Sequence, residues 1–261
     1  MTSLGKNSTG LQLVFTFLGG VVILFIIAPI AGMYLDTSFA LVGEAFHSTE
    51  VRESIWLSLW TSMAGTLFFS IFAIPLAYVL ARKSFPLKSL VNGIIDIPIV
   101  IPHSAAGIAI LGILTRESVL GRSAEVMGFK FVGSPFGIMV AMAFVSIPFL
   151  INAARDGFAS VPERLEKIAL TLGASPARAF FTISVPMAWR PILSGFILMW
   201  ARGMSEFGAV IIIAYNPKTA PVMIYERFTS FGLNYALPAA VLFVTVCLTV
   251  FVALRLIKRK N

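Results

Sequence analysis

Apolar residues fill the chain in long runs that charge interrupts only at intervals. Residues 7–35, 54–81, 97–115, 131–154 and 228–254 contain no Asp, Glu, Lys or Arg, and each is near or above the ~20 residues that an α-helix needs to cross a bilayer core. A further run, 191–217, is broken only by Arg202 and Glu206, and the third run reaches back to Ser89 if Asp96 is admitted. The pattern predicts an all-α polytopic protein of one domain, 1–261. Its six spans fall at about 11–35, 54–81, 89–115, 135–154, 190–215 and 230–256. Backbone groups in lipid must be bonded within a closed structure, and barrel strands would be shorter and would alternate in polarity, so a barrel is excluded. The first run exceeds the 7–15 apolar residues of a secretory signal, and Leu35-Asp36-Thr37 offers no small-residue cleavage site, so it is expected to stay as an anchor.

The longest polar connection, 154–189, has a helix–turn–helix pattern of its own. Ser160-Val161-Pro162-Glu163 reads as a capping box. Leu165, Ile168, Ala169 and Leu172 then share one face, with Glu163, Arg164, Glu166, Lys167 and Thr171 on the other. Gly173 is expected to end this helix, Ser175-Pro176 to cap a second, and Val185-Pro186 to lead into the fifth span. By periodicity alone the first helix would be a surface helix on lipid headgroups.

Composition agrees with the pattern: 58% of the residues are hydrophobic and 12% are charged, about half the roughly 25% of soluble domains. A net charge of +8 raises the question of nucleic acid, which the placement of the charges answers. Lys6, Arg82, Lys83, Lys88, Arg155, Arg164, Lys167, Arg178, Arg190, Arg255, Lys258, Arg259 and Lys260 fall on the side that holds both termini. Only Arg52, Arg116, Arg122, Lys130, Lys218 and Arg227 fall on the other. The asymmetry predicts cytoplasmic termini in a cell membrane and makes a nucleic-acid partner unexpected. The outer connections, about 36–53, 116–135 and 218–228, are too short for a ligand-catching domain, so capture from outside requires another protein. Cys247 is the only cysteine, which excludes a disulfide within one chain and a multi-cysteine metal site. No phosphate-binding G-x-x-x-x-G-K-[S/T] run occurs, so ATP would be hydrolysed elsewhere.

Candidate chemistry lies at membrane depth. Asp96, Pro98 and Pro102 interrupt the third span, followed by His103 and Ser104; Arg202, Ser205 and Glu206 occupy the fifth. Prolines free carbonyls that only protein or a water-filled cavity can satisfy, so these residues are candidates for a translocation pathway or gate. His103 has no ligand-type neighbours at metal spacing, and a satisfied polar side chain is its expected role. Arg202 and Glu206 stand one turn apart, which favours a pair that neutralises itself over direct anion binding. The small residues Gly203, Ser205, Gly208 and Ala209 suit a close helix contact across a dimer axis. Neither a catalytic constellation nor a cofactor motif is present: Ser205 lacks a nearby base, and the two membrane acids lie on different spans.

The 154–189 connection also resembles the signature of importer permeases of the ATP-binding-cassette class, Glu-Ala-Ala, three residues, Gly, nine residues, Ile-x-Leu-Pro. Ala169, Gly173, Ile183 and Pro186 match at that spacing, Val185 stands for the leucine, and Lys167 and Ile168 stand for the first Glu and Ala, with Glu166 adjacent. Asp96 to His103, Arg202 to Ala209 and Thr219 to Tyr225 are similar to the sulfate and molybdate/tungstate branch. The runs Ser205–Tyr215 and Ile224-Tyr225-Glu226-Arg227 are closer to archaeal molybdate/tungstate members. The resemblance implies a type I importer permease fold, in which Glu163, Glu166, Lys167, Ala169, Leu172, Gly173, Ala174 and Ser175 form a coupling helix against a cytoplasmic ATPase. It implies a homodimer of this chain in the membrane lipid, a cytoplasmic ATPase dimer and an extracytoplasmic oxyanion-binding protein, moving cargo by alternating access. Sulfate or thiosulfate is the alternative cargo. An ion-coupled secondary transporter is the alternative from another class; it would show an inverted repeat of broken helices and would not need the capped loop.

Overall fold

The computed structural model describes residues 4–260, with side chains over 10–254; Lys6, Arg255, Lys258, Arg259 and Lys260 lie outside the described side chains. All regular structure among the described residues is helical. Helix α1 runs Leu4–Leu35, α2 Phe39–His47 and α3 Thr49–Arg82, followed by α4 Lys88–Val100, α5 His103–Leu114 and α6 Val119–Val126. Then come α7 Pro135–Ser160, α8 Glu163–Thr171, α9 Pro176–Ala179, α10 Val185–Met204, α11 Gly208–Ile213, α12 Ala220–Phe231 and α13 Leu233–Lys260. Among the described residues, five helical segments are long and apolar enough to cross a membrane, and six if α4 and α5 count as one bent span.

Two spans differ from their expected form, the third because of a proline. The stretch expected as one helix over 89–115 bends by 110° between α4 and α5. Pro102 holds the residue before it extended, and Ile101 lies at φ −73°, ψ 147°, so α4 ends at Val100 and a new helix starts at His103. The fifth span, expected over 190–215, starts earlier and stops sooner. Helix α9, a π-helical turn over Phe180–Ser184 and α10 form one continuous helix, Pro176–Met204. The Val185 N–H reaches back to Phe180 O in the widened turn, which accommodates the N–H that Pro186 lacks. Beyond Met204 the chain breaks at Ser205-Glu206-Phe207 before the short α11.

Helix α7 is the axis of the bundle, packed along α3 and α10. Small polar residues allow this approach. Ser54, Ser58, Thr61, Ser62 and Thr66 form a buried stripe on α3. The hydroxyls of the last four donate to the carbonyl four residues back at 2.5–2.9 Å, so no donor is stranded in the bundle. A Cβ at Gly65 would stand 3.0 Å from Met139 O of α7, and one at Gly203 of α10 would sit among Ser62, Met142 and Ser146. Apolar side chains around Met142, Val145 and Val210 pack one half of the bundle, and those around Leu150, Phe158 and Met199 the other. Helix α1 stands outside, exposed over residues 10–30, and touches α13 through a Tyr34 hydroxyl–Thr245 Oγ1 hydrogen bond of 2.7 Å.

Candidate functional site

At the α3 C-terminus, α8 is anchored by a buried carboxylate. Arg82 donates to Glu166 Oε1 from Nε at 2.9 Å and from Nη2 at 2.6 Å; Ser184 Oγ donates to the same oxygen at 2.7 Å, and the Tyr78 hydroxyl donates to Oε2 at 2.9 Å. Tyr78 is itself fixed between Phe158 and Phe180, with ring centroids 5.3 and 4.9 Å away. Burial by itself would raise the Glu166 carboxyl, but the hydrogen bonds from Arg82, Ser184 and Tyr78 and the Arg82 charge outweigh it and hold the group below its ordinary range. Three elements, the end of α3, α8 and the π-helical turn, are thus tied together at one side chain.

This arrangement corrects the expected face of α8. Glu166, assigned to the polar side, points inward, while Ile168 and Leu172, assigned to the apolar side, are exposed, with Leu172 82% accessible. Leu165 and Ala169 are half-buried. Glu163 and Lys167 are exposed and paired at 3.2 Å, one turn apart. The capping box does not form either. Ser160 is the last residue of α7 and donates to Gly157 O at 2.7 Å. Pro162 holds Val161 extended and becomes the N-cap, so Glu163 is the first helical residue and cannot reach back. The other end is as expected: Gly173 adopts φ +86°, and its N–H donates to Leu170 O while that of Ala174 donates to Ala169 O, both at 3.0 Å. Ser175 Oγ accepts from Arg178 N at 3.2 Å and caps the long helix.

At membrane depth the chain brings three of the predicted residues together. Glu206 is completely buried, and its Oε2 lies 2.9 Å from Arg202 Nη2 and 2.8 Å from His103 Nδ1. Arg202 Nη2 is also within 2.7 Å of His103 Nδ1, while Glu206 Oε1 accepts from Ala209 N at 2.9 Å. The cluster therefore sits where two breaks meet: His103 opens α5 after the bend, and Glu206 lies between α10 and α11. Small residues make this meeting possible within one chain. A Cβ at Gly107 would fall 2.9 Å from Ala209, and one at Gly208 would fall 2.8 Å from His103 Cβ. Gly203, Gly208 and Ala209 are thus used inside the bundle, which corrects their reading as a stripe for a dimer axis.

The remaining predicted residues stay apart. Asp96 accepts from Asn152 Nδ2 at 2.7 Å across α4 and α7, beside an Arg155–Asn92 contact of 3.3 Å. Pro98 is buried inside α4, Pro102 precedes the first turn of α5, Ser104 is exposed, and Ser205 is exposed with its hydroxyl on Arg202 O. At the opposite end from α8, Lys218 bridges Glu226 at 2.5 Å and Glu50 at 3.3 Å, and Arg227 joins Glu50 at 3.0 Å. The hydrogen bond to Glu226 is the main reason the Lys218 ammonium is held above its ordinary range, with Glu50 adding to it against partial burial. The sequence reading missed Arg82, Tyr78, Ser184 and this second network. Arg82 was legible only as a topology charge, and nothing at fixed spacing links it to Glu166.

The family of binding-protein-dependent transport system inner membrane components matches residues 73–261. The chain belongs to that family. It is a multi-pass membrane permease subunit of an ATP-binding-cassette importer, as the α8 signature and the helical bundle imply. It is 47% identical over 250 residues, 95% of this permease and 96% of the relative, to the molybdate/tungstate transport system permease protein of Thermococcus kodakarensis. The sulfate transport system permease protein of Synechocystis is 31% identical, over 90% of this permease and 83% of that one. The fold of the permease matches a chain of a bacterial alginate transporter solved in complex with an alginate-bound periplasmic protein. That match has a TM-score of 0.76 and 17% identity, over 98% of this permease and 97% of that chain.

Proposed function

We propose that this permease carries molybdate or tungstate inward, as one of two identical membrane subunits fed by an external binding protein and driven by a cytoplasmic ATPase pair. The observation that carries the cargo is the near full-length 47% identity to a molybdate/tungstate permease. The sulfate relative, less similar, supports sulfate as the second reading. Both termini and α8 face the cytoplasm in this reading, by the excess of basic residues on that side. Helix α8 then offers Ile168, Leu170 and Leu172, all exposed, to a cleft on the ATPase, while Glu166 holds its back to α3.

In the membrane, Arg202 and Glu206 neutralise each other beside the pathway with His103 against both. A closed charge cluster of this kind presents no free cation to trap a dianion. Weak binding suits a conduit that must release what it receives, and affinity then belongs to the delivery protein. The test is uptake into proteoliposomes holding permease, ATPase and binding protein, with molybdate, tungstate and sulfate supplied separately. ATP-dependent accumulation of molybdate or tungstate in preference to sulfate is expected; preferential accumulation of sulfate, or accumulation without ATP, would overturn the reading.

A further inference from the structure

The contacts of the charge cluster require a lone pair on the His103 ring. Arg202 Nη2 lies 2.7 Å from His103 Nδ1 and 3.0 Å from Nε2. A guanidinium only donates, so the ring nitrogen it meets must accept, and only the neutral ring has a nitrogen that can. The imidazolium carries an N–H at both positions. It could still donate from Nδ1 to Glu206 Oε2, 2.8 Å away, but it would set a second cation against Arg202 within hydrogen-bond distance, where like charges repel. Among the described residues, the charged groups that face the ring are Arg202 of α10 and Glu206 of the break. Helix α5 packs against α6, α7 and α11, and α5, α11 and residues 135–154 of α7 carry no further titratable side chain. Helix α6 meets the far end of α5, where Gly121 lies against Thr115 O and Glu125 pairs with Arg116, with Arg122 on the same short helix. Asp96 of α4 is bonded to Asn152.

We infer that His103 is a positioning residue for the transported oxyanion: on taking a proton it takes Glu206 over from Arg202 and releases the guanidinium to the pathway. The proton comes from water in the pathway and enters the ring lone pair; no other covalent bond changes. Glu206 stays compensated, by the His103 Nδ1–H on one oxygen and the Ala209 N–H on the other, so it no longer needs Arg202. Of the two cations, Arg202 is the one free to move. The backbone at Gly208 lies close against His103 Cβ at the start of α5, whereas Arg202 is a long side chain in the last turn of α10, 27% exposed. The cluster thereby changes from neutral to singly positive and offers a tetrahedral dianion one free planar donor. Loss of the proton draws Arg202 back to Glu206 and lets the anion go. The inference rests on the reading of this chain as an oxyanion importer and is independent of which oxyanion is carried.

Two measurements test it. The chain has two histidines, so His47→Gln, at the exposed end of α2, leaves His103 as its sole imidazole. In nitrogen NMR of the importer assembled from histidine-labelled permease and unlabelled partner subunits, the ring is expected to pass from neutral to imidazolium between about pH 8 and pH 5. A ring that stays in one form throughout would overturn the proposal. In proteoliposomes holding the full importer and its binding protein, molybdate moved per ATP hydrolysed is expected to rise as pH falls over that range, by at most about tenfold per unit because one proton is involved. His103→Gln can donate to Glu206 and accept from Arg202 but takes no proton, so the rise should be lost. A flat profile in the unaltered importer, or the same slope in both, would overturn the proposal. Running the same pair with sulfate keeps the two readings apart: were sulfate the cargo, the assignment to molybdate would fail while the loss of slope in His103→Gln would stand.

Discussion

Glu206 has no exposed surface, yet its charge is met on one oxygen by Arg202 and His103 and on the other by the Ala209 N–H. Removing one member of such a desolvated pair leaves an uncompensated charge, at a cost of about 3–5 kcal/mol, whereas replacing both can be nearly neutral. Arg202→Met or Glu206→Gln alone is therefore expected to lower the thermal stability of the purified complex. The double variant should recover most of the loss, since Gln still accepts from Ala209. If uptake recovers with stability, the pair is structural; a stable but inactive double variant would give Arg202 a role toward the anion. Glu166 makes a second, pH-dependent case. Its carboxyl is held below the ordinary range, so its stabilisation is fully present above the unfolded value of about 4.3 and fades as pH falls through the lower folded one. The stability gap between the parent and Glu166→Gln should hold constant from neutral pH down to about 5 and close only in stronger acid, read as melting temperature against pH.

Among the elements, α8 shows where local pattern suffices and where it does not. Its end was legible because one residue type solves the problem: Gly173 at φ +86° donates to Leu170 O. Gly173→Ala is expected to cost about 1–2 kcal/mol in that conformation, and Gly173→Pro to remove the donor as well. ATP-driven uptake should fall in that order while the permease still assembles in the membrane, which membrane yield and uptake together would read. The start of α8 and its inward face were not legible. Pro162 moved the helix start past the serine, and the inward position of Glu166 depends on Arg82, which lies 84 residues away in sequence. The same limit applies to the charge cluster: the one-turn spacing of Arg202 and Glu206 announced their pairing, but His103 joins them only because the chain bends by 110° at Pro102. Hydropathy registers that an apolar run is long enough to cross; it does not register the direction of the run after a proline.

For the molecule as a whole, the orientation proposed from the charge asymmetry can be read chemically. In a Cys247→Ser background, a single cysteine at Ser160, which is exposed, is expected to react with an impermeant thiol reagent only after the cytoplasmic face is opened. One at Asn216, exposed at the other end, should react in intact cells; reversal of the two results would invert the topology. Thr219 is fully buried and would report packing instead.

The long helix from Pro176 to Met204 begins beside α8 and carries Arg202 in its last turn, with one widened turn and Pro191 along the way. At 1.5 Å per residue it is a rod of about 43 Å. A push or twist applied at its α8 end therefore arrives at the charge cluster as rotation and displacement of one helix, with no loop between to absorb it. One alanine inserted after Leu198 would turn the six residues beyond it by about 100°, carrying Arg202 away from His103 while leaving α8 seated on Arg82. Such a variant should still stimulate ATP hydrolysis by its partner yet deliver no cargo, in the manner of an engine that runs with its drive shaft sheared.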